Sequence, residues 1–155
     1  MRYLYIVLNL FIIINSNLYS KEKNIKEFNY NVMGKTIREE EINFLSGSKF
    51  VSFKHEGGFE TDIGKYGVYY CSGSMFYNKD KSLEDMTYAC EFRDQLGEKF
   101  YSRGKRVKGS QSDRSVGIMN IYEGEGYWQD YEGANCQYGL EYVEKIVFVT
   151  AKCKL

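Results

Sequence analysis

The chain has 155 residues with 21 Lys plus Arg against 21 Asp plus Glu and a single His, so no global field draws it to nucleic acid or to an anionic membrane. Ten Phe and fifteen Tyr, with 15 Gly and no Pro, suit a sheet-rich protein whose strands are seldom interrupted by a missing backbone donor. A domain of this size can bury roughly two thirds of its unfolded surface, which excludes a knottin-like dependence on disulfides.

Residues 1–20 read as a signal peptide: Arg2 supplies the positive start, Leu4 to Ile14 the apolar run, and Asn15 to Ser20 a mostly polar exit. The apolar run is about half the roughly 20 residues that a membrane span needs, and Asn9 interrupts it. Residues 21–155 are then a single domain by length. Helical periodicity is almost absent. The one helical candidate, Thr36–Leu45, has a capping-box spacing from Thr36 to Glu39, but its apolar residues form no sustained stripe.

The rest reads as short strands separated by Gly, Asn, Asp and Ser. They are Phe28–Met33, Lys49–His55, Tyr66–Tyr77, Met86–Arg93, Lys99–Arg103, Ser115–Tyr122, Tyr127–Tyr131, Cys136–Val143 and Ile146–Lys154. Eight or nine such strands predict an all-β fold, a small antiparallel β-barrel of about eight strands, calycin-like or allene-oxide-cyclase-like. A closed barrel is preferred to a sandwich because the apolar terminal strands would be hazardous at an open edge. Glycines at strand ends and inside strands fit the sharp bends of a barrel or the turns of ordinary hairpins.

The four cysteines fall into two pairs that mirror each other across predicted hairpins. Cys71 opposite Cys90 sets Tyr69 against Phe92, Gly73 against Tyr88 and Met75 against Met86. Cys136 opposite Cys153 sets Tyr138 against Ala151, Leu140 against Val149 and Tyr142 against Val147, so that each set lies on one face. Parity excludes one-residue slips in this register but leaves two-residue slips open, and four cysteines allow three connectivities. Paired cysteines downstream of a leader predict disulfides in a periplasmic or secreted protein.

From Tyr122 to Trp128, and on through Tyr131-Glu132-Gly133 to Cys136-Gln137-Tyr138, the chain resembles the glycine-and-aromatic signature of the dirigent-like and allene-oxide-cyclase-like barrels and their bacterial relatives. The Gly64–Cys71, Tyr88–Glu91 and Lys152–Lys154 segments are similar to an uncharacterised group of small secreted bacterial proteins. That resemblance implies a secreted barrel and carries no catalytic residue over to this chain.

His55 stands beside Glu56 ahead of Glu60 and Asp62. The group could serve as a general base with an orienting acid or as a hard-cation site, and it is also what a solvated turn at Gly57-Gly58 would carry. No DxDxDG loop, HExxH, CxxC, nucleophile elbow or P-loop is present, so neither a metal site nor a cofactor is expected. Arg103, Lys105, Arg106 and Lys108 make the one basic run, either a grip for an acidic ligand or a soluble turn. An inward Arg103 would be a buried cation in need of a carboxylate. Trp128, among Tyr122, Tyr127, Tyr131 and Tyr138, is either a ring at a barrel mouth or core.

The function expected on these grounds is a non-enzymatic extracytoplasmic barrel that binds a small apolar or aromatic ligand, without membrane association once the leader is removed. The alternatives are a module that binds an extracytoplasmic protein, such as a periplasmic hydrolase inhibitor, and a cyclase or isomerase. Trp128, His55, Glu56 and Arg103 are the candidate contacts, on one barrel end built from Glu123–Gly133 and His55–Asp62.

Overall fold

The computed structural model describes residues 27–107 and 114–155; the leader at residues 1–20, and Lys108, lie outside the described residues. Eight strands follow in chain order: β1 (Glu27–Asn43), β2 (Lys49–Thr61), β3 (Tyr66–Tyr77), β4 (Leu83–Asp94), β5 (Lys99–Val107), β6 (Arg114–Gly124), β7 (Asn135–Val143) and β8 (Ile146–Lys154). Each pairs antiparallel with the next, and β8 returns to β1 to close the barrel. Closure gives the apolar β7 and β8 a partner on both edges, which removes the unpaired rows that invite aggregation.

Both cysteine hairpins carry the expected register. Tyr69 faces Phe92, Gly73 faces Tyr88 and Met75 faces Met86 across β3 and β4, while Tyr138, Leu140 and Tyr142 face Ala151, Val149 and Val147 across β7 and β8. The disulfides are Cys71–Cys90 and Cys136–Cys153. In the cyclic strand order the two bridged hairpins stand on opposite sides of the barrel. Such bonds persist in an oxidising environment.

Two segments differ from expectation. Tyr127–Tyr131 is a 3-10 helix spanning Gly126–Tyr131, and no strand. Its buried residues, Trp128 and Tyr131, are three apart, which matches one 3-10 turn and breaks the period of two that a half-buried strand needs. Thr36–Leu45, the helical candidate, instead continues β1 to Asn43. A bulge between Thr36 and Arg38 bends β1 away from β8, whose pairing ends at Lys35–Ile146, and Arg38–Asn43 runs on paired with β2 alone. The result is a β1 edge that continues beyond β8 while β2 stays backed by β3, and it ends in a turn that exposes Phe44 and Leu45.

The 3-10 helix plugs one end of the barrel. Trp128 is fully buried there with its ring centroid 4.5 Å from that of Phe100 and 5.6 Å from that of Phe28. Its indole N–H donates to Asp94 Oδ2 at 3.2 Å. The same carboxylate, wholly removed from solvent, takes Lys65 Nζ at 2.9 Å and the backbone N–H groups of Leu96 and Glu98 at 2.9 and 3.0 Å. Burial alone would raise the Asp94 pKa, but Lys65 and the two N–H donors outweigh it and hold the carboxyl below its ordinary value. A buried charge with four donors is a stable closure, whereas one with none would not survive burial.

Candidate functional site

Strand alternation sends one residue in two toward the barrel axis, and at three places a glycine stands inward beside an inward tyrosine. Tyr69 on β3 is paired with Gly57 on β2, Tyr88 on β4 with Gly104 on β5, and Tyr138 on β7 with Gly117 on β6. A side chain at Gly104 would meet the Tyr88 ring at 2.2 Å, and one at Gly117 would meet the Tyr138 ring at 2.4 Å. The rings therefore lie across neighbouring strands, along the wall, in the manner of cross-strand aromatic cover for glycine. Tyr69 reaches a strand further, to Gly34 on β1.

Rings laid on the wall leave the axis open. A cavity of about 60 Å³ runs between these tyrosines and is bounded, His55 apart, mainly by apolar and aromatic side chains among the described residues, including Val32, Phe92, Met119 and Leu140. Above it, at the end opposite the 3-10 helix, lies a recess of about 450 Å³ walled by β1, β2, β3 and the β7–β8 turn. Phe53, His55 and Tyr142 line both spaces and form the neck between them. Arg38, Glu39, Glu144 and Lys145 surround the outer recess.

The three hydroxyls are tucked over the wall glycines, and the surface of the cavity itself is almost wholly apolar. Those of Tyr69, Tyr88 and Tyr138 are buried with no hydrogen-bond partner among the described residues. Tyr88 and Tyr138 meet edge-on at 6.0 Å between ring centroids, and their hydroxyls are close enough to act on each other's ionisation in the manner of a hydrogen-bonded pair. Burial pushes the Tyr69 pKa up to about 12, and burial likewise raises Tyr88 and Tyr138, so all three remain protonated donors at neutral pH. A buried donor left unmade costs about 1–3 kcal/mol. By contrast Tyr30, deeper in the barrel, donates to Met119 Sδ at 2.9 Å.

His55 points inward and is 8% exposed. Its Nε2 lies 3.4 Å from Tyr142 Oη, and its ring centroid lies 4.7 Å from that of Phe53. Burial pushes its pKa down to about 4, which makes it a neutral imidazole at physiological pH. Glu56, one residue on, necessarily points outward, where Lys35 Nζ lies 3.4 Å from its carboxylate. The pair that the sequence offers as base and orienting acid is thus split by the sheet.

Arg103 also points outward, with its guanidinium 5.4 Å from the Tyr122 ring. The buried cation of the basic run is Arg106, 3% exposed, with Nη1 3.8 Å from Met86 Sδ. Its charge reaches the hydroxyls of Tyr88, Tyr138 and Tyr142. Continuing the alternation of Phe100 and Ser102 along β5 would have placed Arg106 inward. Trp128 belongs to the core of the plugged end, while His55 lines the recess at the other. Asp62 does share the plugged end, where it accepts from Asn29. Of the four candidates only His55 borders the cavity.

No family model matches the chain, and no match was found among curated proteins or solved structures.

Proposed function

We propose that this is a non-enzymatic, secreted or periplasmic barrel that binds a small apolar or aromatic ligand through the recess and neck at its open end. The observation that carries the reading is a barrel plugged at one end by Trp128 and hollow toward the other. An eight-stranded barrel has room for its side chains or for one small ligand, and the wall-lying tyrosines favour the second arrangement. The recess, at about 450 Å³, falls in the range of small-molecule pockets. A calycin-like or allene-oxide-cyclase-like kinship is compatible with this reading. Cyclase or isomerase chemistry has less support, because His55 faces the cavity without a carboxylate beside it and Glu56 faces solvent.

The test is binding of the neutral fluorophore N-phenyl-1-naphthylamine to the parent and to Gly104→Ala. An added methyl at residue 104 meets the far end of Tyr88 and drives that ring into the cavity. The parent should bind with micromolar affinity and the variant at least about tenfold more weakly, because the displaced ring fills the inner cavity, while the variant's fold loses about 1–3 kcal/mol to overpacking. No binding by the parent would end the proposal, and equal binding by both proteins would confine the fluorophore to the outer recess. Native mass spectrometry of protein from its own compartment would then identify the resident ligand. A protein-binding role is the second reading, favoured by the β1–β2 turn that exposes Phe44 and Leu45.

A further inference from the structure

Strand alternation also decides what the barrel shows to solvent, and over β8, β1, β2 and β3 it shows apolar side chains. Phe148, Met33, Gly58 and Val68 stand in register across those strands. The next row toward the open end is Ile146, Lys35, Glu56 and Tyr70. The five apolar side chains are 38% to 61% exposed and leave on the order of 400 Å² of contiguous apolar surface in water, a size that on a monomer often marks an interaction site. Between them lies a groove of about 660 Å³. Beside it Gly58 leaves an open place in the first row, where a side chain would meet only the Gly67 carbonyl oxygen, at 3.6 Å.

We propose that this face joins two copies of the chain in a symmetric dimer, about a two-fold axis that runs along the strands between β1 and β2. Such an axis exchanges β1 with β2 and β8 with β3, so each row meets itself reversed. Met33 then fills the open place at Gly58 of the second copy. Lys35 faces Glu56 of the second copy, and Glu56 faces its Lys35. At the flanks Phe148 meets Val68 and Ile146 meets Tyr70, and these longer side chains offset the curvature of the wall. The adjoining polar row of Thr150, Asn31, Glu60 and Tyr66 agrees with the same axis. The Asn31 side-chain oxygen accepts from Thr150, which leaves its amide N–H groups to donate to Glu60 of the second copy at the rim.

Charge and area point to a second copy as the occupant. Lys35 and Glu56 lie 3.4 Å apart within one copy, so the centre of the face presents one charge of each sign and is complementary to itself. A face of a single sign would repel its own copy. Doubled and completed by the polar row, the surface removed from water comes to about 1,200 Å², the lower limit of a specific interface, which sets a weak dimer. Face-to-face sheets pack in this aligned manner when their strands stay within about 30° of each other. The next row, Arg38 and Lys54, would bring like charges together, so the contact ends at the β1 bulge. No residue of the two central rows lines the cavity or the recess, and the inference therefore stands apart from the ligand-binding reading.

Sedimentation velocity of the disulfide-intact protein from about 2 to about 200 µM provides the test, and the parent should form a dimer with a micromolar Kd. Met33→Glu and Gly58→Glu, both at outward positions, should each weaken it at least about tenfold with melting unchanged, and either serves if the other fails to fold. Lys35→Glu and Glu56→Lys should each weaken the homodimer several-fold by setting like charges together. An equimolar mixture of those two variants should restore a dimer, because both central contacts then join unlike charges.

A parent that stays monomeric to about 200 µM would overturn the inference and leave the face to a different protein. A dimer that survives Met33→Glu and Gly58→Glu unchanged would place the interface elsewhere and overturn it as well. A mixture of the two charge variants that associates no better than its components would remove the two-fold axis, and the proposal with it.

Discussion

Replacing Trp128 by Ala is the severest test of how this barrel is held shut. The ring is fully buried between Phe28, Phe100 and Tyr131, and truncating such a residue typically costs about 3–5 kcal/mol. Asp94 would also lose its indole donor, but Lys65 and two backbone N–H groups remain, so that loss adds about 1 kcal/mol. A total near 5 kcal/mol is a large part of the roughly 5–15 kcal/mol that holds a small domain together. At about 4 °C per kcal/mol for this size, melting should fall by about 20 °C. Trp128→Phe keeps an aromatic ring and loses mainly the N–H and some volume, so it should cost about 2 kcal/mol. Trp128 is the only tryptophan, so urea titration followed by far-UV circular dichroism gives both values on one scale. A Trp128→Ala protein within about 1 kcal/mol of the parent would refute the plug, and would return Trp128 to the list of ligand contacts.

Two further outcomes follow from the same geometry. His55 is neutral in the fold with a pKa near 4 and takes a proton near pH 6.5 when unfolded, so acid favours the unfolded chain. Stability should be full above pH 6.5 and fall progressively toward pH 4; at about 1.4 kcal/mol per pH unit for one proton, the loss is capped at about 3 kcal/mol. The depressed Asp94 pKa acts in the lower window, because its contribution is lost only as pH falls below the ordinary carboxylate range. Denaturation at pH 7, 5.5 and 4.5 should show this slope in the parent and not in His55→Phe; parallel curves would sink the assignment. Cys71 is partly exposed to the cavity, whereas Cys136 and Cys153 are wholly buried. Under mild reductant, alkylation mapped by mass spectrometry should find Cys71 and Cys90 modified first, with each lost bridge costing about 3 kcal/mol. Modification of Cys136 ahead of Cys71 would contradict that order.

Local pattern carried most of the fold, and pairings distant in sequence carried most of the site. The β3–β4 and β7–β8 registers were legible because a strand has a period of two and each hairpin has two cysteines to anchor it. Arg106 was within reach of the same rule, but ending β5 at Arg103 drew attention to a residue on the wrong face. Tyr127–Tyr131 misled because its three aromatic residues favour strand; only the three-residue spacing of Trp128 and Tyr131 distinguishes the 3-10 turn. The contact of His55 with Tyr142 joins residues 87 apart, and no local signal predicts it. Gly104 and Gly117 carry no local signal of their role, and only their partners show them to be seats for tyrosine rings.

Those seats explain why the barrel can be hollow and stable together. The plug, the Phe92–Phe100 stack at 4.3 Å and the two opposed disulfides concentrate cohesion at one end and on two sides of the wall. The tyrosine belt is then relieved of filling the axis. Phenylalanine at residues 69, 88 and 138 would cover the same glycines without leaving a hydroxyl to desolvate, so folding alone gives no reason for tyrosine there. The belt thus covers the glycines of the wall while leaving the axis open, and it is set deeper than the exposed loops to which sequence reasoning had assigned the function.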